Sequence, residues 1–327
     1  MKRAMLYYSA ALLVGFLILF KSADIFVIGS VATAKNFSIS PMIIGLTIVA
    51  LGTSAPEIFV AATSSLQGQP EIAVGNAIGS NIANLGMVLG FTAMLVPLKF
   101  RVDILRNDLP ILIFVTLCAG ASLIDHKLRL WDGLLLLSGL GLFLFRLAME
   151  HRKSSQMELA AEIPELGDIP EMSTARASAM LFISLLFLLF SAELLVWAVI
   201  KIAESMGVSE LIIGLTVIAV GTSIPELVVS VTSATKGQTD LAIGNIIGSN
   251  IFNILAVLAI PAIIAPSDLM PATLWRDYAV MLGLTLALVV FAYGIRGDSL
   301  ITRFKGLLLF MVWLGYIIYL YQTALNG

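Results

Sequence analysis

The stretches "VALGTSAPEIFV" (Val49–Val60) and "IAVGTSIPELVV" (Ile218–Val229) each set a glutamate, a proline, two hydroxyls and a glycine inside a run otherwise apolar enough to cross a membrane. A carboxylate deep in a span costs at least ~2.5–3.5 kcal/mol on insertion scales, so keeping one argues that it is used. Keeping two, in one hexapeptide frame, governs the reading of the whole chain.

Outward from the hexapeptide, the sequence overlays itself at a shift of 169 residues without a gap. Gly45 and Thr47 meet Gly214 and Thr216, Gly52-Thr53-Ser54 meets Gly221-Thr222-Ser223, and Pro56-Glu57 meets Pro225-Glu226. Further on, Gly75-Asn76 meets Gly244-Asn245, Gly79-Ser80-Asn81-Ile82 meets Gly248-Ser249-Asn250-Ile251, and Asn84 meets Asn253. More than half of the positions from Met42 to Leu89 are identical to their counterparts. The shift also carries Ser22-Ala23-Asp24 onto Ser191-Ala192-Glu193, and Asp108 onto Asp277. The duplicated unit therefore includes the first apolar run. Lys2 and Arg3 ahead of that run resemble a signal peptide, but cleavage there would remove one half of the correspondence. The first run is expected in the mature fold.

Composition agrees with a polytopic membrane protein. Of 327 residues, 59% are hydrophobic and 12% charged, against roughly 25% charged in soluble domains, and mean hydropathy is +1.00. A net charge of −2 offers no basic balance for nucleic acid. A single cysteine, Cys118, excludes an internal disulfide, and no Cys/His cluster suits zinc. Ten spans are expected near 5–23, 42–66, 72–97, 109–125, 130–148, 178–200, 210–235, 241–265, 273–294 and 301–323. The division is a first five-span repeat over 1–149, a linker over 150–177 and a second repeat over 178–327. The fold class is all-α. An odd number of spans per unit makes equivalent elements run in opposite directions, the inverted-repeat design of secondary transporters, with sites near the midplane. Loops after the odd-numbered spans hold twelve Lys and Arg against six on the other side. The positive-inside rule then puts the linker in the cytoplasm and both termini outside the cell membrane.

The hexapeptide has a physical account. Pro56 and Pro225 lack an N–H, which frees the carbonyls of Gly52 and Gly221 where a helix would use them. Irregular backbone at membrane depth must face protein or water. Thr53 and Glu57 are four apart, as are Thr222 and Glu226, so each pair is expected on one helix face. Ser80 with Asn84, and Ser249 with Asn253, repeat that spacing. Gly75 with Gly79, and Gly244 with Gly248, give the small-xxx-small spacing of close helix packing. The donors are carboxylate, hydroxyl and carbonyl oxygens, a set suited to hard cations. The two glutamates match one Ca²⁺ or two Na⁺. Asp24 with Glu193, and Asp108 with Asp277, fall near span ends and read as caps, interface charges or gate contacts.

On these residues the chain resembles the sodium/calcium exchanger superfamily, whose signature reads GTSxPE followed by GSNIxN, here "GTSAPE … GSNIAN" and "GTSIPE … GSNIFN". The likeness is to the short prokaryotic calcium/sodium antiporters and covers essentially the whole chain. It implies ten spans in inverted halves, alternating access with spans 1 and 6 sliding past a fixed core, and no cofactor beyond the transported Ca²⁺ and Na⁺. By that resemblance Glu57 and Glu226 are shared by both ions, and Thr53 and Thr222 complete the Ca²⁺ shell. Ser54, Ser80, Ser223 and Ser249 line Na⁺ sites, the carbonyls of Ala50 and Ala219 add oxygen, and Asn84 and Asn253 complete the centre. Potassium-dependent relatives carry aspartate where Asn253 stands, so exchange is expected to be K⁺-independent. The linker is too short for the regulatory Ca²⁺-binding domains of animal exchangers. Three alternatives stay open: a Ca²⁺/H⁺ antiporter on the same fold, a cation channel, and an intramembrane serine hydrolase built on Ser54 or Ser223. The hydrolase lacks a base, because His126 and His151 lie outside the motifs.

Overall fold

A computed structural model describes residues 2–157, 171–206, 219–271, 273–294 and 299–326. Its helices are α1 (Met5–Asn36), α2 (Pro41–Thr53), α3 (Ala55–Leu66), α4 (Pro70–Leu95), α5 (Ile104–Leu123) and α6 (Leu130–Glu150). After these come α7 (Thr174–Ser205), α8 (Ile224–Thr235), α9 (Thr239–Ile264), α10 (Thr273–Tyr293) and α11 (Arg303–Thr323). Among the described residues eight helices are long and apolar enough to cross a membrane, and the bent pair α2–α3 makes a ninth span. The expected seventh span, 210–235, is described only from Ala219, so 210–218 lie outside the described residues. The expected linker is helical as far as Met157 and again from Thr174.

Two helices depart from the expected spans. α1 runs on past the expected end at 23 to Asn36. Asp24, the residue that suggested an end there, is paired with Lys236 at 3.1 Å, so its charge does not force the chain into water. α5 starts earlier than expected, with a π-helical turn over Ile104–Asp108. Its buried Asp108 accepts from Arg146 at 3.1 Å. Local chemistry sets the other ends. Ser40 caps α2 by accepting from Ile43 N, with Pro41 at the first helical position. Gly68 and Gly237, at equivalent places after α3 and α8, take φ of 73° and 77°, which a side chain would resist.

Four two-residue strands report the symmetry. β1 (Leu98–Lys99), between α4 and α5, pairs antiparallel with β4 (Leu300–Ile301), between α10 and α11. β2 (Lys127–Leu128), between α5 and α6, pairs with β3 (Ser267–Asp268), between α9 and α10. β1 and β3 hold equivalent places in the two units, yet each pairs with the other unit's second strand. Equivalent loops therefore lie at different ends of the bundle, as inverted units require.

Apolar packing forms two clusters. The larger fills the bundle of α4–α6 and α9–α11. The smaller joins α1 to α7 through Leu19, Phe26, Val31, Leu181, Leu188 and Leu195. At Gly29 a Cβ would stand 2.7 Å from Leu181 N, so these two helices touch backbone to backbone. Leu13, Leu17, Leu142, Phe145 and Leu186 face outward, an apolar exterior that suits lipid.

Candidate cation site

The hexapeptide breaks its helix. α2 ends at Thr53, α3 begins at Ala55, and their axes differ by 43°. Pro56 stands in the first turn of α3, where its missing N–H costs no hydrogen bond. The second copy breaks alike: Ala219–Gly221 is helical, Thr222 and Ser223 form a turn, and α8 starts with Pro225 in its first turn. Glu57 and Glu226 each fall in a first turn, where free N–H groups favour a carboxylate. The end of α2 meanwhile presents carbonyl oxygens, the partial negative charge that attracts a cation.

Both carboxylates are enclosed, Glu57 at 1% exposure and Glu226 at 0%. Ser54 of the first half donates to Glu226 Oε1 of the second at 3.1 Å, so the halves meet at the site. Ser80 donates to Glu57 Oε1 at 3.4 Å. Glu57 Oε2 and Glu226 Oε2 have no hydrogen-bond partner, and neither does either side-chain atom of Asn84 or Asn253, nor Ser223 Oγ. Buried polar atoms are nearly always satisfied, so several orphans in one place mark a ligand site. Asn84 and Asn253 each open a π-helical turn, Asn84–Val88 and Asn253–Val257, and such turns recur at functional sites.

The remaining predicted residues take distinct positions. Thr53 is buried; its Oγ1 donates to Asn245 Oδ1 at 3.1 Å and stands 3.5 Å from Ser249 Oγ. Thr222 is half-buried. The Ala50 carbonyl accepts from Ser54 N at 3.0 Å and stands 3.3 Å from Thr53 Oγ1, whose single proton serves either it or Asn245, so one of its lone pairs is open when Thr53 donates to Asn245. Ala219 is the first described residue of its segment, and what precedes it lies outside the described residues. The helix break also changes one expectation: Thr53 and Glu57 do not share one straight helix face, because they lie on either side of the bend.

Sequence reasoning missed two partners. Asn76 Nδ2 donates to the Glu57 carbonyl at 3.2 Å, and Asn245 Nδ2 donates to the Glu226 carbonyl at 3.4 Å. Both hold the backbone that carries a glutamate. Their signal was the duplication itself, four residues ahead of each serine. Glycines bring the second-half helix up to the site. A Cβ on Gly244 would stand 2.7 Å from Met42 O, and one on Gly248 would stand 2.7 Å from Ala50 Cβ. Gly75 and Gly79 face open space among the described residues.

The family model for sodium/calcium exchanger proteins matches residues 7–149 and 177–322. The chain belongs to the sodium/calcium exchanger protein family. CaxA of Alkalimonas amylolytica is 44% identical over 324 residues, covering 98% of this chain and 100% of CaxA. Sodium/calcium exchanger MaX1 of Methanosarcina acetivorans is 30% identical, covering 95% of this chain and 97% of MaX1. The sodium-calcium exchanger NCX_Mj superposes with a TM-score of 0.81 at 33% identity, over 96% of this chain and 99% of that one. Its family and fold make this exchanger a membrane transporter rather than an enzyme.

Proposed function

We propose that this exchanger moves Ca²⁺ against Na⁺ by alternating access, without K⁺ and without a resident cofactor. The observation that carries the reading is the pair of enclosed glutamates, one from each half, each with an unpartnered oxygen and each in reach of a serine. Around them stand amide, hydroxyl and carbonyl oxygens. These donors are all oxygens, hard ligands that favour Ca²⁺ and Na⁺ over softer ions. In this reading Glu57, Glu226, Thr53 and Thr222 hold Ca²⁺. Ser54, Ser80, Ser223 and Ser249 serve Na⁺, Ala50 and Ala219 lend carbonyls, and Asn84 and Asn253 close the centre. Asn253 adds no third charge, so two Na⁺ balance the carboxylates without K⁺. A filled site is neutral and can cross a dry barrier, whereas an empty one resists. The smaller apolar cluster, built mainly on α1 and α7 and completed by Ile44, Val49, Val229 and Leu241, is the surface along which the pair would move past the bundle. The chain lies in the cell membrane with the 150–177 linker in the cytoplasm, and an inward Na⁺ gradient expels Ca²⁺.

The test is ⁴⁵Ca²⁺ uptake into proteoliposomes loaded with Na⁺, with choline, or with choline under an imposed proton gradient. Uptake that requires internal Na⁺, and is indifferent to K⁺, is expected. Uptake driven by protons alone would move the protein to Ca²⁺/H⁺ exchange, and uptake without any counter-ion would make it a channel.

A further inference from the structure

A groove of about 520 Å³ opens between α10 and α11 on the outside of the bundle. Two contacts set the height of each residue along it. Lys305 Nζ, near the start of α11, donates to Phe291 O, near the end of α10, at 2.9 Å. Tyr316 Oη donates to Asp277 Oδ1, near the start of α10, at 2.9 Å. The two helices therefore run antiparallel, with Asp277 and Tyr316 at one height. Arg276 stands there too. Its Nε and Nη2 donate to Asp277 Oδ1 and Oδ2 at 2.6 and 3.0 Å, while Nη1 makes no hydrogen bond among the described residues. One edge of the guanidinium is thus pinned by a carboxylate, and the other is left open on the groove wall in a side chain that is 32% exposed. A turn deeper along the helices the wall is apolar, with Val280 of α10 and Val312 of α11. Toward the helix ends it is aromatic, with Trp275 and Tyr319 both exposed. Such rings gather where a membrane meets water.

We propose that this groove holds one zwitterionic phospholipid, its phosphate on the open edge of Arg276, its ammonium against the rings of Trp275 and Tyr319, and an acyl chain along Val280 and Val312. The order of chemistry along the groove is the order along such a lipid: rings that attract a cation, a guanidinium that binds an anion, then apolar wall. The guanidinium fork suits a phosphate, and Asp277 holds its plane in place. Tyr319 lies three residues beyond Tyr316, about 4.5 Å at the helical rise, comparable to the reach from a phosphate to an ammonium two carbons on. Charge favours the zwitterion over an anionic lipid. Asp277 already neutralises Arg276, so the site carries no net charge to match, and ring faces attract an ammonium but not a glycerol headgroup. The internal repeat supplies an independent argument. At the 169-residue shift Trp275, Arg276, Tyr316 and Tyr319 correspond to Arg106, Asn107, Leu147 and Glu150. The duplicated packing therefore does not account for them; the shared member is Asp277, whose counterpart is Asp108. The binding claim depends neither on which ions are exchanged nor on which face of the membrane α10 starts from.

The test is native mass spectrometry of the delipidated full chain, titrated with phosphatidylethanolamine, with phosphatidylglycerol of the same acyl chains, or with the matching diacylglycerol. Phosphatidylethanolamine is expected to bind about fivefold more tightly than phosphatidylglycerol, and phosphatidylglycerol about tenfold more tightly than diacylglycerol. The double variant W275L/Y319L should lose the first preference and keep the second. R276Q should bring both phospholipids down to the affinity of diacylglycerol. Equal affinity of the two phospholipids for the native chain overturns the proposal. So does an ethanolamine preference that survives W275L/Y319L, or a phosphate preference that survives R276Q.

Discussion

At the scale of single residues, the site is defined by what its polar atoms lack. Glu57 and Glu226 each satisfy one carboxylate oxygen within the protein and leave the other free. Glutamine keeps the shape and the serine contact but removes the charge that neutralises a cation. Glu57→Gln and Glu226→Gln should each reduce Na⁺-dependent ⁴⁵Ca²⁺ uptake to the level of empty liposomes, with a monodisperse elution profile unchanged; full uptake by either variant would remove that glutamate from the site. Asn245 acts differently. It accepts from Thr53 and donates to Ser230 and the Glu226 carbonyl, so it orients ligands from one remove. Asn245→Ala should weaken the half-saturating Ca²⁺ concentration by about 10–100-fold, the usual cost of losing a supporting contact, and leave uptake measurable at high Ca²⁺. The glutamates, serines and threonines were legible in the sequence because a membrane span gives each polar residue a cost that must be explained. Asn76 and Asn245 were duplicated as clearly, but an asparagine beside a glycine reads as packing until its amide is seen on a glutamate carbonyl.

At the scale of elements, the break in each hexapeptide was readable because proline has a fixed chemistry. The π-helical turns at Asn84 and Asn253 were not, because an all-apolar run carries no periodicity to distinguish one helical pitch from another. The length of α1 was misread for a related reason: the sequence displays Asp24 but not its partner Lys236. Glycine packing gives the clearest contrast. A methyl on Gly244 would meet Met42 O at 2.7 Å, backbone that cannot swing aside, whereas a methyl on Gly283 meets nothing within 4 Å. Gly244→Ala should lower stability by about 1–3 kcal/mol, the range for overpacking. Gly283→Ala, inside α10, should raise it by up to about 1 kcal/mol through helix propensity. Thermal unfolding in detergent compares the two; a Gly244→Ala midpoint equal to that of the native protein would mean that α2 and α9 do not touch as described.

At the scale of the whole molecule, the duplication was legible from one end to the other, and the reciprocal pairing of β1 with β4 and β2 with β3 agrees with units of opposite sense. What the sequence could not display is where the symmetry fails. Lys236, just after α8, holds Asp24 of α1. Their counterparts are Gln67 and Glu193, which cannot form the same ion pair. Among the described residues, Lys236–Asp24 is the one ion pair joining the α1–α7 pair to the helix bundle. In the alternating-access reading proposed above, one such contact in only one of two related positions biases the exchanger toward the state that makes it. The bias is modest, because both side chains are more than a third exposed and an exposed pair contributes at most about 1 kcal/mol. Asp24→Asn and Lys236→Gln should therefore change the ratio of half-saturating Ca²⁺ concentrations at the two membrane faces by about two- to fivefold. The two should change it in the same direction, and the double variant should do no more than either alone. The exchange D24K/K236D should bring the ratio back toward the native value. Measurement in right-side-out and inverted vesicles decides the point: additive single effects, or no recovery on exchange, would show that the two residues act separately and that the bias lies elsewhere.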